Sequence, residues 1–281
     1  MQKTFQYQEA LISYRVEGKG NPVVLIHGFG EDSHIWDNQA EFLKEHCLLI
    51  LPDLPGTGNS QMITNSIQEK DNDTPFSSVV SLDDYADCIY ALLLHESITQ
   101  CTMLGHSMGG YITLAFAQLF PQMLSGFGLI HSNAFADSEE KKVNRQSAIE
   151  TMEKGGAYAF FKNSIPALFA RFFKITSPGE INSLIEATKQ FNTKACQQYL
   201  NAMINRPDRT EVLKKTPLPV LFIIGTEDTA APLNDVMQQT HLPKYAIVHI
   251  LEKTGHMSMW EAPKLLDQYL LAFINRLKQA D

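Results

Sequence analysis

Residues 101–120 read CTMLGHSMGGYITLAFAQLF. The stretch divides into three parts. Thr102–Leu104 is a short apolar run of strand character. Gly105-His106-Ser107-Met108-Gly109 follows with the spacing G-x-S-x-G. Tyr111–Phe120 then continues without a helix breaker. A strand that meets a helix across such a serine predicts a sharp, strained turn with the hydroxyl exposed. Side chains two residues to either side would collide there, which favours glycine at both positions. The start of the following helix offers an N–H and a positive dipole end to a developing oxyanion. A chance Gly-x-Ser-x-Gly in a loop lacks this strand and helix context.

Working outward, short apolar runs recur on both sides. They are Val23–Ile26, Leu48–Leu51, Phe127–Ile130, Val220–Ile224 and Ile247–Leu251. Their uniformity suits strands covered on both faces, as in a parallel sheet. Ile12, Tyr14 and Val16 alternate with polar residues and precede the turn Gly18–Pro22, which reads as an N-terminal hairpin. Helical patterns separate the strands. Leu82, Tyr85, Ala86, Ile89 and Leu93 form one stripe, opened by Ser81 and Asp84 in capping-box spacing. Leu266, Tyr269, Leu270, Phe273 and Leu277 form another. The alternation predicts an α/β fold, a mostly parallel sheet with helices on both faces.

Two segments break the alternation. Gln61 to Val80 is polar and aperiodic, and reads as a surface insertion in preference to a mobile flap. Asn133 to about Lys215 is helical in character and holds no strand run. The expectation is a core domain of residues 1–132 and 216–281, with residues 133–215 inserted as a helical cap.

Composition narrows the class. Of 281 residues, 44% are apolar, enough for a sizeable core, and the formal net charge is −8. That balance disfavours nucleic acid as a partner, because phosphate binding needs a basic face. No run is long and apolar enough for a membrane span, and the polar start lacks a signal-peptide core. Cys47, Cys88, Cys101 and Cys196 show neither C-x-x-C nor zinc-site spacing. A cytoplasmic location and no metal site are expected.

A serine hydroxyl needs a base. Along such a chain the order is Ser, then Asp or Glu, then His. That leaves His241, His249 and His256 as candidates for the base. His256 follows the last strand run, where open α/β sheets place ligands. His249 falls within that run, and His241 precedes Pro243 in surface context. His106 sits in the turn itself and reads as packing behind it. The acid should follow the run Val220–Ile224, in Gly225-Thr226-Glu227-Asp228. Asp228 is preferred over Glu227 as the carboxylate that orients the base. In His27-Gly28-Phe29-Gly30, the Phe29 N–H is assigned as one oxyanion donor, with the Met108 N–H as the other. His27 and Asp53 are read as structural.

Taken together, H-G-F-G at 27–30, D-L-P-G-x-G-x-S at 53–60, G-H-S-M-G-G at 105–110, G-x-x-D at 225–228 and G-H at 255–256 resemble the α/β-hydrolase superfamily over nearly the whole chain. The resemblance implies an eight-stranded sheet, a helical cap and no cofactor. It assigns Ser107, Asp228 and His256 as a triad, with Phe29 and Met108 as oxyanion donors. Thr57 stands where the family often has an aromatic residue or histidine. The Gln61–Val80 insertion is longer than typical.

The expected reaction is hydrolysis of a small-to-medium, uncharged carboxylic ester, with thioesters and lactones equally open. Phe160, Phe161, Phe169, Phe172 and Phe173 are candidate walls of its pocket, against the plainer reading that they pack the cap onto the core. Carbon–carbon bond hydrolysis on the same triad is an alternative. His106 lowers its odds, since family members of that kind often carry asparagine there. A ligand-sensing signalling role is the third reading.

Overall fold

The computed structural model describes residues 1–64 and 79–278. Most of the insertion expected between Gln61 and Val80 therefore lies outside the described residues. The strands are β1 (Gln2–Tyr7), β2 (Ala10–Gly18), β3 (Pro22–Ile26), β4 (Leu48–Pro52), β5 (Cys101–His106), β6 (Leu124–Ile130), β7 (Val220–Gly225) and β8 (Ala246–Leu251). They form one eight-stranded sheet in the order β1-β2-β4-β3-β5-β6-β7-β8. From β4 to β8 every neighbour is parallel, while β2 is antiparallel to both β1 and β4.

The helices are α1 (Asp37–Leu43), α2 (Leu82–His95), α3 (Met108–Leu119), α4 (Glu139–Ser164), α5 (Arg171–Thr176), α6 (Pro178–Ala187), α7 (Thr193–Ile204), α8 (Thr210–Lys215), α9 (Leu233–Met237), α10 (Ser258–Glu261) and α11 (Pro263–Lys278). Helices α4 to α8 all fall between the paired strands β6 and β7. They are the inserted helical region. None of the described helices is long and apolar enough to cross a membrane.

The uniform apolar runs are buried because the sheet is covered on both faces. Every residue of β5 and β7 is buried. β8 differs: it is an edge strand, and Ile250 is exposed. The N-terminal hairpin also differs from expectation. Its turn is Gln8-Glu9, between β1 and β2, where Gln8 takes φ 53°. Gly18–Pro22 instead carries the chain past β4 to β3. The capping box is present. The Ser81 hydroxyl accepts from the Asp84 N–H, and the Asp84 carboxylate accepts from the Ser81 N–H at 2.7 Å. The four cysteines are buried and unpaired.

Candidate active site

Parallel strands deliver their loops to one edge of the sheet, and the site is built there. Ser107 joins β5 to α3 with φ 52° and ψ −116°, a conformation that a non-glycine residue keeps only when its surroundings enforce it. The enforcement is visible. The Ser107 N–H donates to Ile130 O at 2.9 Å, and its carbonyl accepts from the Ser132 hydroxyl at 2.7 Å. A Cβ on Gly105 would lie 2.2 Å from Gly109 O, and one on Gly109 would lie 2.4 Å from Ile26 O. Both clashes are with backbone, so the turn requires glycine at each position.

Asp228 lies in the loop after β7 and His256 in the loop after β8. His256 Nδ1 donates to Asp228 Oδ2 at 2.8 Å. The other carboxylate oxygen accepts the Ala230 and Ala231 N–H groups, each at 2.9 Å. Burial alone would raise the Asp228 carboxyl, but the adjoining His256 and His131 outweigh it and hold the group well below the usual range. Burial alone would lower His256, yet the Asp228 carboxylate outweighs that and raises it. Asp228 thus stays ionised and His256 becomes a stronger base.

A second histidine shares this carboxylate. His131, wholly buried just after β6, donates Nδ1–H to the same Oδ2 at 3.0 Å. Among the described residues its Nε2 has no partner, and its backbone sits at φ 51°. Burial pushes its pKa down to about 4, so it is neutral near pH 7. Sequence reasoning missed it because no motif marks the residue after a strand. The three residues His131, Asp228 and His256 have the composition of a metal site. However, both imidazoles direct Nδ1 at one carboxylate oxygen at hydrogen-bond distance, so those nitrogens serve as donors and not as ligands.

Behind the turn, His106 is buried with both ring nitrogens facing oxygens. Nδ1 lies 3.0 Å from Glu31 Oε2 and Nε2 lies 2.9 Å from His256 O. It also meets Trp36 edge-on. His106 therefore packs as expected and, in addition, ties the His256 backbone to a buried acid. Glu31 went unnoticed in the sequence. Its Oε2 also accepts the Gly28 N–H at 2.6 Å. His27 Nε2 accepts from the Leu54 N–H at 3.0 Å and faces the Thr57 hydroxyl at 3.1 Å, which fixes the loop 27–30. Asp53 accepts from the Ser33 and Asn59 N–H groups, as a structural residue would. Glu227 accepts from the Arg171 N–H at the cap. His249 stacks on Tyr269, and His241 is exposed.

Loop 27–30 lies against the serine: a Cβ on Gly28 would be 3.2 Å from Ser107 Cβ. Among the described residues, no backbone acceptor takes the N–H of Phe29 or of Met108. Ser107 and His256 border one cavity of about 470 Å³, together with Phe29, Phe160, Phe161 and Met257. Phe169, Phe172 and Phe173 do not border it. Phe169 stacks on Phe173 at 5.1 Å, and Phe172 points to solvent. The difference comes from the cap's fold. Phe160 and Phe161 lie near the end of α4 over loop 27–30, whereas Phe169 precedes α5 and Phe172 and Phe173 lie within it.

Comparison with known proteins agrees with this fold. A family model described as the alpha/beta hydrolase family matches residues 23–268. The acetyltransferase component of an acetoin-cleaving system from Pseudomonas putida is 28% identical over 92% of this chain. The chain spans only 64% of that protein's length. A hydrolase of (E)-2-((N-methylformamido)methylene)succinate from Acinetobacter baylyi is 24% identical over 93% of both chains. Among solved structures, a malate-bound thermophilic esterase from Thermogutta terrifontis superposes with TM-score 0.88 at 25% identity, covering 99% of each chain. With the matching model spanning most of its length, the chain belongs to the alpha/beta hydrolase family.

Proposed function

We propose that the protein is a serine hydrolase acting on carboxylic esters, with thioesters and lactones as chemically equivalent substrates. One observation carries the reading. A serine in a strained turn borders the same cavity as a histidine that a buried, ionised aspartate orients.

In this mechanism His256 takes the Ser107 proton as Oγ attacks the substrate carbonyl. The Phe29 and Met108 N–H groups receive the oxyanion, each worth about 3–4 kcal/mol in a comparable hole. The carbon–oxygen bond to the alcohol breaks as His256 returns the proton to it. Water, deprotonated by His256, then cleaves the acyl–Ser107 ester and regenerates the serine. Asp228 holds the imidazole with Nε2 toward the serine and stabilises the imidazolium without taking its proton. The esterase from Thermogutta terrifontis and the hydrolase from Acinetobacter baylyi fit this reading.

The test is labelling with a fluorophosphonate probe, read by intact mass, on wild type and Ser107→Ala. One adduct on wild type and none on the variant is expected, followed by turnover of simple esters. A folded wild type that takes no adduct would refute an activated Ser107 and leave ligand sensing as the better account.

A further inference from the structure

The cavity is unevenly charged. Glu31 borders it, with its carboxylate held by the Gly28 N–H and His106. From α4 come Lys141, Asn144 and Arg145, which share one helix face with Ala148 and border the cavity together. Behind Arg145 lies Asp137, whose side chain is wholly buried. It accepts Arg145 Nε at 2.6 Å and pairs with Arg206 Nη1 at 2.7 Å. Arg206 is itself buried, with its guanidinium 3.9 Å from the centre of the Tyr111 ring and its Nε donating to Phe135 O. Two guanidiniums thus share one carboxylate, which leaves one positive charge unbalanced at the wall. Burial alone would raise the Asp137 carboxyl, but Arg145 and Arg206 outweigh it and hold the group below its usual range.

Lys141 adds a second cation. It lies at the exposed rim, in a loose ion pair with Asp235 at 4.0 Å, so the unbalanced charge is that of Arg145. An unbalanced charge in a partly buried wall is costly unless an anion completes it. Phe29, Phe160 and Phe161 supply an apolar stretch of the same cavity.

We propose that this cavity takes esters that carry a second, ionised carboxylate, bound by Arg145 and Lys141 while the scissile carbonyl meets Ser107. The proposal rests on the serine-ester reading and replaces the expectation of an uncharged substrate. The Glu31 carboxylate disfavours the reversed orientation, in which the anion would sit over the loop 27–30.

The test compares matched esters. Ethyl hydrogen adipate is set against diethyl adipate, and 6-acetoxyhexanoate against its methyl ester. Each pair differs only in whether the remote carboxylate is free. On one pair or the other, wild type should prefer the free acid by about tenfold or more in kcat/KM, the effect of one charge-assisted hydrogen bond. The ratio should approach one in Arg145→Gln, fall less in Lys141→Gln, and shrink with added salt. Reading a ratio cancels general loss from misfolding. Should Arg145→Gln not fold, Lys141→Gln and the salt series decide. Turnover with no preference on both pairs overturns the proposal and leaves the ester reading intact. If no ester turns over, binding decides. Adipate should raise the Tm of Ser107→Ala but not of Ser107→Ala/Arg145→Gln, and no shift in Ser107→Ala overturns the proposal. Failure of fluorophosphonate labelling would sink the serine reading separately.

Discussion

His131 offers a direct probe of how Asp228 divides its charge. The carboxylate accepts four N–H donors: His256, His131, Ala230 and Ala231. A hydrogen bond to a charged acceptor contributes about 1.5–3 kcal/mol. The bond from His131 is strongest while His256 is neutral, because a protonated His256 already meets much of the Asp228 charge. Removing His131 therefore destabilises the neutral form of His256 more than the charged form. If about half of that bond differs between the two forms, the loss is about 1 kcal/mol, which raises the His256 pKa by roughly half to one unit. Glu31 and Glu261 also raise it and are unchanged by the substitution.

The variants are His131→Leu, which removes the donor, and His131→Asn, whose amide reaches the Nδ1 position and tolerates φ 51°. Removing the ring also removes a buried Nε2 that has no partner among the described residues, which offsets the lost bond, while His131→Leu adds the strain of a bulky side chain at φ 51°, so a thermal melt confirms that it folds before its profile is read. The assay is kcat/KM for a simple ester from about pH 5 to about pH 9, whose acid limb reports the base in the free enzyme. His131→Leu should move that limb up by roughly half to one unit, with the alkaline plateau little changed, and His131→Asn should restore it. An unshifted limb in His131→Leu would refute charge sharing at Asp228. A shift that His131→Asn fails to restore would assign the effect to packing.

Other outcomes follow from the same contacts. Asp228→Asn should lower kcat by about 10³–10⁴-fold. Because Asp228 raises His256, the acid limb should move to lower pH in the same variant, measured by the same profile. Wild-type activity should fall as pH drops through the His256 titration, and full activity far below pH ~5 would exclude His256 as base. Gly105→Ala should cost at least about 2 kcal/mol in denaturant titration, since its Cβ meets backbone at 2.2 Å. Asp267 is raised by burial to about 6, although Gln39 donates to it at 3.1 Å. Its charge therefore opposes folding above that pH, and the cost disappears below the ordinary carboxylate range near pH ~4. Asp267→Asn should raise Tm by a few degrees at pH ~8 and leave it unchanged at pH ~4.

The fold was legible where sequence patterns are local. Each uniform apolar run lies in a strand; burial on both faces accounts for the inner ones, while the run in the edge strand β8 is only partly buried. β1 escaped notice: its alternate residues face solvent, and only Phe5 of the strand is buried. Strand order was not readable from the residues, since β4 lies between β2 and β3 through contacts distant in sequence. In the site, motifs mark the turn at Ser107 and the loops carrying Asp228 and His256. Glu31 and His131 bear no motif, and their roles come from what the folded loops bring together. The cap phenylalanines fail for a similar reason. Composition says that the region is aromatic, but only the kinked end of α4, past Gly156 at φ 80°, directs Phe160 and Phe161 to the cavity.

The helical region leaves the sheet after β6 and returns at β7, strands already hydrogen-bonded to each other from Phe127 beside Val220 onward. Both of its ends are therefore held by the sheet and not by its own helices. An excursion anchored in this way is an exchangeable part in the inheritance of the molecule. Its helices can be rebuilt, lengthened or replaced while β5, β7 and β8 keep the loops of Ser107, Asp228 and His256 in place, provided that the Leu168 carbonyl, which accepts the His256 N–H at 2.7 Å, is retained. Selection on such a chain can alter what is bound without relearning how bonds are broken. A directed-evolution library confined to α4–α8 would search substrate space at little risk to the sheet.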